Sequence, residues 1–134
     1  MPAKSIRAAT AALATAGGLF ALSPASPATA APQCTSYAVY HGANVPSVGR
    51  GGSVNCQMGQ GAQSEAVLYL QYTLNYCYGA GLSQDGDFGP RTKAALIAAQ
   101  RQAGAAPDGV YGPETRSKIM HRGAPPDFGC LRVP

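Results

Sequence analysis

A short phrase occurs twice in this chain, first as DGDFGPRTK from Asp85 to Lys93 and then as DGVYGPETR from Asp108 to Arg116. The copies are offset by 23 positions (108 − 85), and Asp, Gly, an aromatic residue, Gly, Pro, Thr and a basic residue follow in the same order. Self-similarity at a fixed period of this length is typical of a repeated supersecondary unit. We therefore expect one turn and one packing arrangement to be used twice.

Residues 1–30 have the pattern of a secretory signal peptide. Two basic residues precede an apolar run from Ala8 to Leu22, which is too short to span a bilayer, and Ala28-Thr29-Ala30 forms a processing site. Cleavage predicts a mature chain that starts near Ala31 and is secreted, either extracellular or associated with the cell wall. No stable membrane insertion is expected after cleavage.

The expected mature chain, about a hundred residues long, contains four cysteines: Cys34, Cys56, Cys77 and Cys130. In an exported domain with a small core they are expected to be oxidised to disulfides. Zinc is disfavoured because the successive gaps of 22, 21 and 53 residues contain no C-x-x-C. Three pairings are possible, and the sequence alone does not choose among them.

The charge balance argues against a nucleic-acid partner. Ten basic residues, less the two in the signal segment, stand against six acidic ones, which leaves +2 on the mature chain. This mild bias suits an anionic surface such as a cell wall and lacks the dense basic stripe of a nucleic-acid-binding protein.

Apolar spacing predicts the first helix. Ser64 is a suitable N-cap, and Val67, Leu70 and Leu74 recur at steps of three and four residues before Gly79 ends the segment.

Two further helices follow the doubled phrase. The second is predicted from Pro90 to about Gln102, and the third from Pro113 to just before Gly123, with each proline at the first helical position. The pattern requires no sheet, so the predicted fold is mainly α, a compact three-helix bundle. Residues 31–55 are predicted to be an arm tied down by cysteines, with a small hairpin whose first strand is Ser36 to His41 as the alternative reading.

The repeated phrase has a structural interpretation at each position. The Asp side chain can accept backbone N–H groups in a tight turn, and the following Gly can adopt positive φ. The aromatic residue can pack back on the core, and the Thr hydroxyl can reach unpaired groups of the first helical turn. The positions concerned are Asp85, Gly86, Phe88 and Thr92 in the first copy and Asp108, Gly109, Tyr111 and Thr115 in the second.

Catalytic and metal-binding interpretations of the repeated phrase have less support in the sequence than the structural one. A calcium loop needs more alternating carboxylates than Asp85 and Asp87 provide, and no phosphate-binding G-x-x-x-x-G-K-[ST] is present. Asp85 and Asp108 as a glycosidase pair would require equivalent positions of a repeat to play opposite roles. With no H-E-x-x-H, no G-x-S-x-G and no free thiol expected, we predict no enzyme, no metal and no cofactor.

Three linked motifs resemble those of a known family, the type 1 helical peptidoglycan-binding domain. They are VLYLQYTL from Val67 to Leu74, DGDFGPRTKAALIAAQ from Asp85 to Gln100, and DGVYGPETRSKI from Asp108 to Ile119. The resemblance covers roughly residues 56 to 122. It implies a compact three-helix domain at residues 56–130, here in a secreted stand-alone form, that binds cell-wall peptidoglycan non-covalently.

The chain departs from the family pattern at Ala99, where the family usually carries Phe. Losing a core aromatic costs about 3–5 kcal/mol unless other groups refill the volume. Ile97, Tyr69 or the N-terminal arm is expected to refill it. No hydrolase domain accompanies the binding motifs.

The family's ligand groove between helices implies contacts from polar groups near the helix starts. The expected ligand-binding residues are Asp87, Arg91, Arg101, Tyr111 and Glu114, with Tyr111 stacking on a sugar and an Arg pairing with a stem-peptide carboxylate. The positions of the cysteines relative to the helices suggest which pairs form. The expected disulfides are Cys56–Cys130, which would join the two ends of the domain, and Cys34–Cys77, which would attach the arm to the first helix.

The predicted function is a secreted, non-catalytic and monomeric module whose partner is the glycan strand or stem peptide of peptidoglycan. The alternative is a small secreted effector or inhibitor that uses the same scaffold to bind a protein partner. An exposed aromatic patch formed by Tyr37, Tyr40 and Tyr78 would favour that alternative.

Overall fold

The structure is a computed structural model that describes residues 31–134. The predicted signal peptide at residues 1–30 lies outside the described residues. Three helices and four short strands occur in the order β1 (Ser36–Tyr40), β2 (Ala43–Ser47), α1 (Glu65–Tyr78), α2 (Pro90–Ala103), α3 (Pro113–Lys118), β3 (Met120–Arg122) and β4 (Cys130–Arg132). None of the helices between residues 31 and 134 is long and apolar enough to cross a membrane.

The prediction of a mainly α three-helix bundle is wrong. Strands β1 and β2 pair antiparallel, as do β3 and β4, so two small sheets accompany the helices. The N-terminal segment takes the hairpin alternative: His41 and Gly42 form a two-residue turn with φ of 47° and 80°. Val45 and Ala43 point into a second small core beside Val133, so the hairpin and the C-terminal strand share one buried cluster.

The third helix ends earlier than predicted, at Lys118 rather than near Gly123. Ile119 is already extended, with φ of −80° and ψ of 158°. Side chains of α1 bind the backbone that follows: Tyr78 Oη accepts from the Met120 N–H at 2.8 Å, and Thr73 Oγ1 accepts from the Arg122 N–H at 3.2 Å. These tertiary hydrogen bonds hold β3 against α1 where the local pattern would have continued the helix.

The predicted helix boundaries near the repeated phrases are confirmed. Ser64 caps α1 through a bond from the Val67 N–H at 3.3 Å, and Gly79 ends that helix in the left-handed conformation, with φ of 63°. Pro90 and Pro113 open α2 and α3. Their missing N–H groups would have had no helical partner there.

The expected disulfide pairing is also wrong. The structure joins Cys34 to Cys56 and Cys77 to Cys130, with Cα–Cα distances of 5.1 and 5.8 Å. Cys34 meets Cys56 because the two segments run side by side: the Cys34 N–H donates to the Gln57 carbonyl at 2.9 Å. Cys130, on β4, lies against the last turn of α1, so the C-terminal hairpin is fastened to that helix and not to Cys56.

A hydrogen-bonded pair lies inside the core. Tyr111 Oη is 2.9 Å from His121 Nε2, and both side chains are fully buried. Burial and the nearby Arg116 lower the pKa of His121 to about 4, because an imidazolium would lose its hydration there. Burial likewise raises the pKa of Tyr111.

Acidification is therefore expected to destabilise the domain through His121. The unfolded imidazole titrates near 6.5 and the folded one near 4, so the unfolded state binds more protons between those values. This contribution is fully present above pH 6.5 and is lost as the pH falls through about 4, about 3 kcal/mol in all. Urea unfolding at a series of pH values measures it. His121→Asn should flatten the dependence between pH 6.5 and 4.5, while His41→Asn, at the exposed histidine, should not; equal slopes in the two variants would contradict the assignment.

Candidate functional site

A buried glutamine holds the first copy of the repeated turn in place. Gln71 Nε2 donates to Asp85 Oδ1, to the Asp87 carbonyl and to Thr92 Oγ1 at 3.0–3.1 Å. Its Oε1 accepts from the N–H groups of Asp85 and Gly86 at 3.1 and 2.9 Å. One side chain of α1 therefore connects the turn to the first turn of α2.

The second copy repeats this arrangement with Gln100 of α2. Gln100 Nε2 donates to Asp108 Oδ1, to the Val110 carbonyl and to Thr115 Oγ1 at 2.9–3.0 Å, and its Oε1 accepts from the Gly109 N–H at 2.9 Å. Gln71 and Gln100 are almost fully buried, with exposures of 1% and 0%. Each helix thus uses one amide to fix the start of the next helix.

The interpretation of the phrase as a helix start is confirmed in both copies. Each Asp also accepts from the backbone N–H two residues later at 2.9 Å. Gly86 and Gly109 have φ of 74° and 73°, and a Cβ on Gly109 would lie 2.8 Å from the Lys93 side chain. The aromatic residues Phe88 and Tyr111 are buried in the main core, as predicted.

Beside α2, on the side of the first turn, lies a cleft. Its larger part is a cavity of about 490 Å³ lined by four alanines of α2, by the segment around Tyr78 and Leu82, and by Arg91 and Gln102. A smaller part of about 210 Å³ extends toward the repeated turn. Leu82 and Arg91 line both parts, which together we call the α2 cleft. The four alanines are Ala94, Ala95, Ala98 and Ala99, of which Ala94 and Ala98 are exposed and Ala99 is buried.

Two of the groups expected to refill the volume at Ala99 lie elsewhere. Tyr69 stacks on Tyr37, with ring centres 3.7 Å apart, and Ile97 lies against Gly109 of the second turn. Ala99 is buried and also lines the cleft. This position therefore lies at the boundary between the main core and the α2 cleft.

Charged groups of both signs border the small part of the cleft. Arg91 is exposed and forms no ion pair within the described chain, whose one salt bridge joins Arg50 to Glu65. Asp85 and Asp87 line the same part. The Asp87 N–H and then the Gln71 side chain hold the pKa of Asp85 below its ordinary value, so this carboxylate stays ionised as the structural anchor of the turn.

The structure brings together two of the five residues expected to bind ligand. Asp87 and Arg91 both line the small part of the cleft. Arg101 and Glu114 are exposed but line neither part, and Glu114 lies near the second turn, where its Oε1 accepts from the Ala106 N–H at 3.4 Å. Tyr111 is fully buried and presents no ring face to a sugar, so the expectation that it stacks on one is wrong.

The sequence interpretation missed most of the cleft lining, including Leu82 and Tyr78. The paired alanines at 94–95 and 98–99 were visible as small residues on a helix, and the departure from the resembled pattern at Ala99 lies in the cleft. The sequence interpretation also missed that Gln71 and Gln100 hold the two turns by hydrogen bonds, an arrangement that we call the glutamine clasp. The sequence feature that could have indicated it is the match between Val67-x-x-Leu70-Gln71 and Leu96-x-x-Ala99-Gln100.

The aromatic residues named for a protein-binding patch do not gather. Tyr37 stacks on Tyr69, Tyr40 meets His41 edge-on at 4.4 Å, and Tyr78 lines the α2 cleft. Among residues 31–134, no group of three or more His, Cys, Asp or Glu side chains is placed to hold a metal ion. The arrangement therefore offers an apolar groove with a free guanidinium at one end and carboxylates nearby, which is chemistry for holding a ligand.

Residues 63–119 match the sequence model of one protein family, described as "Putative peptidoglycan binding domain". The match begins one residue before the N-cap of α1 and ends at Ile119, so it contains all three helices, both repeated turns and the α2 cleft. The N-terminal hairpin and the C-terminal strands lie outside it. No curated protein matches this chain.

Proposed function

We propose that the chain is a secreted, non-catalytic module that holds peptidoglycan in the α2 cleft, because residues 63–119 match the model of a peptidoglycan-binding domain family and contain that cleft. The observation that carries this proposal is the cleft itself, a groove of about 490 Å³ that combines small and apolar side chains with Arg91 and Gln102. Small-ligand sites commonly measure about 300–1,000 Å³ and combine apolar walls with a few polar groups.

The lining favours the stem peptide as the part that enters. Four alanine side chains line the larger part and offer no hydrogen-bonding groups, which suits small aliphatic side chains such as those of alanine residues. Arg91 lies at the junction of the two parts, so its guanidinium can pair with a peptide carboxylate. Asp87 can accept from an ammonium group in the small part. The two disulfides support secretion, because such bonds persist in oxidising compartments.

Charge reversal at Arg91 tests the site. We expect Arg91→Glu to weaken binding to purified sacculi about tenfold or more, because a charge-assisted hydrogen bond contributes about 1.5–3 kcal/mol. Co-sedimentation over a range of sacculus concentrations at moderate salt measures the affinity. Arg91 is exposed and unpaired in the described chain, so the variant should fold normally.

Arg132→Glu is the matched control. Arg132 is exposed on β4, outside the cleft, and its reversal changes the net charge by the same amount. It should bind sacculi like the wild type. Equal losses in the two variants would show that binding depends on net charge alone, and unchanged binding by Arg91→Glu would remove the cleft as the site.

A further inference from the structure

A second surface, on the other side of α1 from the cleft, is built from aromatic rings and two arginines. We call it the aromatic ridge. Tyr78 and Gln71 of α1 face the cleft, whereas the helix turns the three ridge tyrosines to its outer side. The ridge consists of Tyr37, Tyr69, Tyr72, Tyr76, Phe128, Arg50 and Arg122.

At one end the ridge is a stack. The Arg50 guanidinium carbon lies 5.2 Å from the centre of the Tyr37 ring, and Tyr37 stacks on Tyr69 with ring centres 3.7 Å apart. Tyr69 then meets Tyr72 edge-on at 5.4 Å. The N-terminal hairpin, which lies outside the family match, supplies Tyr37.

At the other end a single guanidinium lies among three rings. The Arg122 guanidinium carbon is 6.0, 5.2 and 5.8 Å from the ring centres of Tyr72, Tyr76 and Phe128. Tyr76 Oη donates to the Phe128 carbonyl at 3.2 Å, which ties the loop before β4 to the helix. Tyr76 and Phe128 nevertheless remain 52% and 54% exposed, so ring surface stays open to solvent.

Both guanidiniums of the ridge lie against its rings. Arg50 is also paired with Glu65 at 2.8 Å, whereas Arg122 lies among three rings with no carboxylate partner in residues 31–134. The Nε of Arg122 is buried without a hydrogen-bond partner, so this cation is turned into the ridge. Tyr76 and Phe128 supply the exposed ring surface, and a ligand that covers them is recognised by ring contacts and needs no charge of its own.

The shape of the ridge is linear. Tyr69, Tyr72 and Tyr76 occupy positions i, i+3 and i+7 of α1, which places them over about 10 Å along the helix axis. Tyr37 stacks on the first ring of the row, and Phe128 shares the Arg122 guanidinium with the last one. Each tyrosine combines an apolar ring with a hydroxyl that can bond to a polar ligand. A row of rings edged by hydroxyls fits a linear polymer that alternates C–H faces with hydroxyl groups.

We propose that the aromatic ridge is a second binding site, for the neutral backbone of a linear β-linked N-acetylhexosamine polymer. The C–H face of a pyranose is weakly electropositive and complements the negative face of an aromatic ring. The choice of a glycan among linear neutral polymers rests on the proposed cell-wall function. A glycan strand on the ridge and a stem peptide in the cleft would raise the affinity for the intact polymer by acting together.

Peptide-free chitohexaose is the probe, because it contains β-linked N-acetylglucosamine and no stem peptide. Binding is followed by an NMR titration of the full mature chain. We expect saturable binding by the wild type, a loss of about tenfold in the double variant with Tyr76→Ala and Phe128→Ala, and about threefold in Phe128→Ala alone. Val110→Ala, which trims another exposed apolar side chain, should bind like the wild type. Phe128→Ala, at an exposed loop position, keeps the test usable if the double variant does not fold.

Arg91→Glu separates this proposal from the previous one. It should bind chitohexaose normally while losing affinity for sacculi, so failure of the cleft would leave the ridge result intact. No saturable binding by the wild type, or undiminished binding by the double variant, would overturn the ridge proposal. Analytical ultracentrifugation measures whether the wild type is a dimer. If the double variant turned a wild-type dimer into a monomer and left the affinity for chitohexaose unchanged, the ridge would be an interface between two copies of the chain, and the proposal would be overturned. A ridge that bound a protein and not chitohexaose would overturn it as well.

Discussion

Replacing Gln71 with leucine will lower the free energy of unfolding by about 3–4 kcal/mol. The variant replaces the amide with an apolar side chain of similar volume and leaves the Gly86 N–H and the Thr92 hydroxyl without the partner that they now have. The Asp87 carbonyl loses one of two bonds and keeps the one from the Gly89 N–H at 3.0 Å. Each buried polar group left without a partner costs about 1–3 kcal/mol. Urea unfolding with the disulfides intact measures the loss.

The corresponding change at an exposed glutamine provides the control. Gln84 lies in the loop before the first repeated turn, and Gln84→Leu should change stability by no more than about 0.5 kcal/mol. Gln100→Leu should also destabilise the domain, because the buried Gly109 N–H loses its partner. Its effect should be the smaller of the two, since the Thr115 hydroxyl and the Val110 carbonyl still bond to each other at 3.2 Å. An unfolding midpoint in urea that is the same for Gln71→Leu and the wild type would contradict a stabilising role for the glutamine clasp.

Removing the Cys77–Cys130 disulfide will lower stability by about 4 kcal/mol. This bridge closes a loop with a sequence separation of 53 residues, and the entropy that it removes from the unfolded chain grows with loop length. The double variant with Cys77→Ala and Cys130→Ala should therefore lose a large share of the roughly 5–15 kcal/mol that a domain of this size has. Guanidinium unfolding without reductant measures it.

The other disulfide is the comparison. Cys34–Cys56 closes a separation of 22 residues, for which the same chain-entropy argument gives about 3 kcal/mol. The matching double variant at Cys34 and Cys56 should be the more stable of the two. Non-reducing peptide mapping that recovered Cys56 joined to Cys130 would contradict the pairing on which both estimates depend.

Local signals predicted the helix starts because the causes are local. Ser64 supplies a side-chain acceptor three residues before the donor that it caps, and Pro90 and Pro113 need no hydrogen-bond partner at the first helical position. The repeated turn could be read for the same reason, since Asp85 bonds to the N–H group two residues later. Neighbours in sequence carry all of this information.

The sheets and the disulfides depend on pairings between distant residues. Strand β3 is only three residues long and is held by hydrogen bonds from Tyr78 and Thr73, more than forty positions earlier in the chain. No periodicity in so short a strand distinguishes it from the end of a helix. The disulfide partner of Cys130 likewise depends on where the β3–β4 hairpin packs, and the spacing of the cysteines in the sequence does not predict that position.

Part of the lining of the α2 cleft could be named from the sequence, and its shape could not. Ala99 departs from the resembled pattern and lies in the cleft, but where neighbouring side chains lie depends on tertiary contacts. Tyr69 is held on the far side of α1 by its stack with Tyr37, a residue 32 positions earlier, and does not enter the cleft. Arg91 and Asp87 were identifiable because they vary between two otherwise similar phrases.

An NMR titration of the ¹⁵N-labelled mature chain with a soluble disaccharide-peptide fragment of peptidoglycan tests the central claim most directly. We predict saturable shifts of the amides that border the α2 cleft, at Leu82, Ala95 and Ala98, and their loss in Arg91→Glu. Amides around Glu114 in the second turn, outside the cleft, should stay unchanged. Shifts confined to the second turn, or no saturable shift at all, would contradict the assignment of peptidoglycan binding to this cleft.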